Sequence, residues 1–186
     1  MTALPMPPPA LHGVSRHLRR ELRSDHAGET GAVCICRGIA AIAAWRGDAA
    51  LLGFAQRHGE TEAEHLRLVE QWLPSHQRSR LLGPWQLAGW LTGALPALAG
   101  PRAVHATIAA VETFVDHHYQ QQVDHLQQHS GPEGLLSLLR QCQADECHHR
   151  DEARALAGPS LPWLLRAWCT LVGWGSAVAV VLARRV

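Results

Sequence analysis

The chain has 186 residues, 47% of them hydrophobic and 18% charged, with a formal net charge of +1. A chain of this length buries roughly 70% of the surface its unfolded form exposes, which excludes a disordered chain and predicts one domain with its own core. The seventeen basic residues are all arginine and are scattered, so there is no electrostatic footprint for nucleic acid. Ala, Leu, Arg, Gln and Glu dominate, and apolar residues recur at three and four rather than at two, so the predicted fold class is all-α. Residues 1–22, with four prolines among the first ten, are expected to form a flexible arm ahead of a domain spanning 23–186. A first helix is predicted over 24–45, capped by Ser24 and ended by Gly47. A second runs over 48–73 and stops at Pro74, followed by a loop over 75–80. An apolar stretch, 81–99, contains Pro84 and Pro96. A fourth helix starts at Pro101 and runs to 129, a fifth covers 133–157 up to Gly158-Pro159, and a second apolar stretch covers 162–186.

These six pieces read as two copies of three, with halves at about 24–99 and 101–186. Glu29 and Glu112 are 83 apart, while Glu62 and Glu146, His65 and His149, and Gly89-Trp90 and Gly173-Trp174 are each 84 apart. The residues repeated carry chemistry. Leu51, Ala55, His58, Glu62, His65, Val69 and Trp72 form one face of the second helix; Leu135, Leu139, Cys142, Glu146, His149, Ala153 and Leu156 form one face of the fifth. The matching stripe of the first helix centres on Glu29, with Asp25, Val33, Cys36 and Ala40. That of the fourth centres on Glu112, with His105, Ile108, Val115, Tyr119 and Leu126.

An isolated carboxylate on such an apolar face would cost several kcal/mol, so these groups must be paired. Four inward Glu and two inward His are the ligand complement of a ferritin-like four-helix bundle that holds two metal ions: one Glu from each of two helices, Glu-x-x-His from each of the other two. The candidate metal residues are therefore Glu29, Glu62, His65, Glu112, Glu146 and His149. The donors are mostly hard oxygen with no thiolate in register, which favours iron over zinc and points to O2 activation. About 0.7 Glu-x-x-His pairs are expected by chance in this composition. The stronger signal is that each of the two pairs present follows a lone Glu by 33 or 34 residues.

Asp25-His26-Ala27-Gly28-Glu29-x-Gly31-Ala32, Glu62-x-x-His65, Val111-Glu112, His117-His118-Tyr119 and Asp145-Glu146-x-x-His149, in that order, resemble the demethoxyubiquinone hydroxylase family of ubiquinone biosynthesis. The resemblance runs from about residue 23 to the C-terminus. It implies a di-iron monooxygenase, with two iron ions per chain and O2 as co-substrate, that hydroxylates a polyprenylated methoxy-methyl-benzoquinol. It also implies that the six residues above are the metal ligands, with Glu62 and Glu146 as the bridging pair. Cys36 departs from the family pattern, which has Tyr there. A ferritin-like ferroxidase or iron store without an organic substrate shares the ligand set, and a metal-free membrane scaffold is a third reading.

The flanking residues divide as follows. Tyr119, the sole tyrosine, lies two turns beyond Glu112, either bonded to a neighbour or acting near the metals or the quinol. His58 is read as supporting the ligands or facing solvent, since Cys142 holds the position 84 later. Asp25 and Asp145 are candidate acceptors for ligand imidazole N–H groups. His117, His118, His125 and His129 are read as a hydrated face, and Cys34 and Cys36 as packing. Five cysteines, an odd number, and an N-terminus with no basic-then-apolar leader predict a reducing, cytoplasmic setting.

The apolar stretches hold Trp85, Trp90, Trp163, Trp168 and Trp174, five of the seven tryptophans. Both stretches are at or below the short end of a membrane span. Trp beside Arg suits an interface, so 81–99 and 162–186 are expected to dock peripherally on a membrane and frame an apolar doorway to the metals. The expected location is the cytoplasmic face of a bacterial-type inner membrane. Spanning helices, or helices buried in a homo-oligomer interface, are the alternatives. No Gly-x-Gly-x-x-Gly loop is present, so electrons are expected from an external donor.

Overall fold

In the computed structural model, which describes residues 14–129 and 131–186, the chain forms six α-helices and one 3-10 turn, with no strand among the described residues. The helices are α1 (Arg16–Arg46), α2 (Ala49–Trp72), α3 (Leu82–Ala99), α4 (Pro101–His129), α5 (Glu133–Ala157) and α6 (Trp163–Ala183). The punctuation follows from side-chain chemistry. Gly47 takes the left-handed conformation (φ 69°) that lets its N–H close onto the Ala43 and Ala44 carbonyls, and Asp48 then caps α2 by accepting from the Leu51 N–H at 2.9 Å.

Two expectations are corrected. α1 begins eight residues before Ser24: Ser15 is the cap, accepting from the Leu18 N–H, and Leu18 and Leu22 are buried. The Ser24 hydroxyl instead bonds the Glu21 carbonyl within the helix, so a good capping residue is overridden by the apolar face that precedes it. Only residues 1–13 of the expected arm lie outside the described residues. In α5, Leu156 is 51% exposed and Ala157 takes the buried position, because a straight helix of 3.6 residues per turn drifts off a strict seven-residue repeat.

Contacts fix the topology. α1 runs antiparallel to α2 (His26 to Glu70) and to α4 (Asp25 to Gln122, Glu29 to Tyr119). α5 runs antiparallel to α4 (Gln143 to Asp116, Arg154 to Thr113) and to α2 (His58 to Glu152, His65 to Asp145). This up-down-down-up bundle is the ferritin-like arrangement. α3 lies parallel to α1, crossing so closely that Gly89 and Gly93 meet the Gly31 and Ile35 carbonyls with no room for a Cβ. α6 lies beside α4, where the Trp168 indole N–H donates to Thr107 at 2.8 Å, and ends beside α1, where Arg184 pairs with Glu21 at 2.7 Å.

The bundle has two apolar cores. One holds Leu18, Leu22, Val69, Leu126, Leu135 and Leu139; the other holds Ile35, Ile39, Leu51, Phe54, Val104 and Ile108. Between them lies a belt of buried ionisable groups.

Candidate metal centre

The belt arises because each helix interrupts its apolar stripe at the same height. Glu29 of α1, Glu62 and His65 of α2, Glu112 of α4, and Glu146 and His149 of α5 are all buried, none more than 5% exposed. They fall into two overlapping groups whose donor atoms lie within 4.8 Å of one another: Glu29, Glu62, His65 and Glu146; and Glu62, Glu112, Glu146 and His149. All six sequence-predicted residues are thus brought together, and Glu62 and Glu146 belong to both groups.

Four buried carboxylates cannot all be ionised without counter-charge. Burial pushes Glu29 and Glu112 well above the usual carboxylate range, and the Glu146 and Glu62 charges push Glu112 further. Burial and the Glu146 charge also raise Glu62. Burial alone would lower His65, but its 3.0 Å bond to Glu146 and the Glu29 charge lift it to about 10. Contacts with Glu146 and Glu62 likewise outweigh burial at His149 and lift it to about 9. Glu146, which burial would raise, is held at about 2 by His149 and His65. Protons are the counter-charge here, and divalent cations would replace them.

The donor set fits such cations. Glu29 Oε2, Glu146 Oε2 and His149 Nδ1 are buried without a hydrogen-bond partner, three of nine such side-chain atoms among the described residues. His149 Nδ1 lies 3.1 Å from Glu62 Oε1, near enough to share a cation but out of line for a hydrogen bond. Neither group contains a thiolate, and each offers three carboxylates and one imidazole, an oxygen-rich set with capacity beyond four-coordination.

Neighbours orient the set. Asp145 accepts from His65 Nε2 at 3.1 Å, which turns Nδ1 towards the carboxylates. The Tyr119 hydroxyl donates to Glu29 Oε1 and stays a neutral phenol, since burial and the Glu29 charge raise its pKa. Asp25 does not serve a belt imidazole: Oδ1 accepts from His118 at 3.0 Å and from Gln122 at 2.7 Å. His118 is therefore not part of a hydrated face but buried against α1, bonded also to Ser24 at 3.2 Å. The signal was available, since Val111, Val115, His118, Gln122 and Leu126 form a second stripe beside the one carrying Glu112. His117 and His129 are exposed, and Cys34 and Cys36 are buried thiols.

A cavity of about 390 Å³ leads from this belt to the apolar helices. Glu29, Glu112 and Tyr119 line its inner end, and Trp85 and Gly89 of α3 with Trp168 of α6 line its outer part. A model of the family described as "Ubiquinone biosynthesis protein COQ7" matches residues 16–183, nearly the whole described chain. The chain belongs to the COQ7 family. It is 35% identical over 166 residues, 84% of this chain and 76% of the relative, to a Rhodospirillum rubrum protein named 3-demethoxyubiquinol 3-hydroxylase. It is 31% identical over 171 residues, 88% of this chain and 76% of the relative, to a Rattus norvegicus protein named NADPH-dependent 3-demethoxyubiquinone 3-hydroxylase, mitochondrial. The COQ7 match includes all six belt residues, Tyr119 and both apolar helices.

Proposed function

We propose that this chain hydroxylates the ring of a polyprenylated demethoxyubiquinol in ubiquinone biosynthesis, using two iron ions held by Glu29, Glu62, His65, Glu112, Glu146 and His149 and O2 as co-substrate. The observation that carries this reading is the cavity joining a buried carboxylate and imidazole cluster to an apolar outer surface. The names of the R. rubrum and rat relatives support the same substrate class. When bound, the iron pair would supply O2 activation and the redox capacity that insertion of one oxygen atom into an electron-rich ring requires.

The rest is the work of this chain. Four carboxylates balance two divalent cations, so the loaded core is close to neutral and tolerable between two apolar cores. Glu62 and Glu146, common to both groups, would serve both cations, while Glu29 with His65 and Glu112 with His149 would each serve one. Tyr119 holds Glu29 through one oxygen and leaves Oε2 directed into the belt. The wall formed by α1, α3, α4 and α6 excludes water from the ring and gives the apolar tail a route outward between α3 and α6. A ferroxidase or storage protein has no use for such a route.

The outer surfaces of those helices suit a bilayer interface. Leu87, Leu91, Leu95 and Leu98 on α3, and Val178, Val181 and Leu182 on α6, form exposed apolar stripes, and Leu171 and Trp174 stand exposed where the cavity opens between the helices. α6 alone of the two is long and apolar enough to cross a membrane, and of its residues only Val172 and Ala183 are buried. We assign both helices to peripheral docking on the cytoplasmic face of the membrane that contains the quinol. Electrons come from an external donor, which the rat relative's name gives as NADPH for that protein. The described residues act as one domain, with Leu18 and Leu22 at the start of α1 already in its core.

The test is reconstitution. Purified protein loaded anaerobically with ferrous iron should hold about two irons per chain and convert a short-tailed demethoxyubiquinol in vesicles to its hydroxylated product with O2 and a reductant. Absence of product, with about two irons bound and the quinol in excess, would overturn the reading. Gel filtration with and without detergent separates a membrane-docking enzyme or small homo-oligomer from a detergent-indifferent storage shell.

A further inference from the structure

His65 and His149 occupy corresponding places in the belt, yet their surroundings differ. His65 is fixed through its far nitrogen, with Nε2 donating to Asp145 at 3.1 Å. The residue 84 positions before Asp145 is Thr61, whose hydroxyl bonds back to the Arg57 carbonyl of its own helix and reaches no imidazole. His149 accordingly has no carboxylate behind it: its ionic contacts among the described residues, to Glu62 and Glu146, both run through Nδ1. What lies against its ring is His58, stacked with centroids 4.0 Å apart and planes 29° apart.

His58 is itself held. It is 2% exposed, packed against Phe54 at 4.0 Å, and its Nε2 lies 2.9 Å from Glu152 Oε2. A carboxylate only accepts, so the proton is on Nε2 and the ring is locked in one tautomer. Glu152 is fixed in turn by Arg57, whose guanidinium donates to Oε1 at 3.1 Å. Arg57, Glu152 and His58 thus tie α2 to α5 one turn beyond the belt, and the product of that tie is a flat surface under His149.

We infer that His58, anchored by Glu152, is the positioning residue for His149, so that the two metal positions are held by different devices: a hydrogen-bonded carboxylate behind His65 and a stacked imidazole plate behind His149. This rests on the reading of the six belt residues as metal ligands. A hydrogen-bonded carboxylate raises ligand basicity as well as fixing the ring, whereas a stacked plate fixes orientation alone. The position at His149 is therefore the more labile of the two.

The test is iron release, which needs no turnover. Wild type, His58→Ala, Glu152→Gln and Asp145→Asn are loaded anaerobically with ferrous iron and mixed with a ferrous chelator, and release is followed by absorbance. Loss of an outer partner weakens metal affinity by about 10–100-fold. Wild type should release two irons in two phases. His58→Ala should accelerate the faster phase by at least about tenfold and leave the slower one unchanged, and Asp145→Asn should do the reverse. Glu152→Gln, at a partly exposed side chain that keeps the fold intact, should give a smaller acceleration of the same phase, and should add nothing in a His58→Ala background because it acts through His58. Release from His58→Ala and Glu152→Gln at the wild-type rate, or with both phases accelerated equally, overturns the inference while leaving the ligand assignment standing. A wild-type protein that binds fewer than two irons overturns the ligand assignment and the inference together.

Discussion

At the scale of single residues, the belt trades protons for metal. Without divalent cations His65 at about 10 and His149 at about 9 are raised above an unfolded value near 6.5, so the protonated folded form is favoured. That stabilisation is present in full below about pH 6.5 and is lost as pH rises through about 9 and 10. Chelator-treated protein should therefore melt at falling temperature as pH is raised from 6.5 to 10, while iron-loaded protein should show a much flatter profile. Iron uptake should release protons and tighten with pH, which calorimetry in buffers of different ionisation enthalpy will read. Tyr119→Phe removes the donor on Glu29; the expected cost is about 1–3 kcal/mol in chemical denaturation, with weaker iron uptake on the acid side as the Glu29 carboxyl rises further. The belt itself was legible because charge on an apolar stripe is conspicuous and the offset of 83 or 84 picked out these charges among the rest. The pairing of Asp25 with His118 was not, since an inward Asp beside Glu29 suggests a belt imidazole as its partner, and nothing in sequence spacing joins it to a second stripe of another helix.

At the scale of elements, five of the six helices start within about one residue of their predicted positions because Gly, Pro and Asp mark them. The exception, α1, begins at Arg16: its first turns carry four arginines in eight residues, and the Ser15 cap with the burial of Leu18 and Leu22 outweighs that charge. The α1–α3 contact was illegible, because glycine leaves no pattern to read. Gly93→Ala would drive a Cβ into the Ile35 carbonyl, a backbone atom that cannot swing away, and should destabilise by about 1–3 kcal/mol. Gly53→Ala, mid-helix in α2 with its nearest neighbour the Arg57 guanidinium at 3.9 Å, should instead stabilise by about 0.5–1 kcal/mol. Thermal melts of the two variants side by side separate packing from propensity.

At the scale of the whole molecule, one side of the bundle is apolar inside and out. α3 and α6 line the cavity with one face and leave Leu95, Leu98, Val178 and Val181 exposed on the other. Replacing both Leu95 and Leu98 with Glu should weaken sedimentation with lipid vesicles by roughly tenfold or more, since each large apolar side chain buried is worth about 1.5–3 kcal/mol, and should leave bound iron unchanged. The central claim, that six buried residues hold the metals that hydroxylate a demethoxyubiquinol, is tested most directly by the quinone profile of cells whose own copy is deleted and replaced by Glu112→Ala. The account predicts accumulation of the demethoxy quinone with Glu112→Ala and normal ubiquinone with wild type. A normal profile with Glu112→Ala, at wild-type protein level, would contradict it.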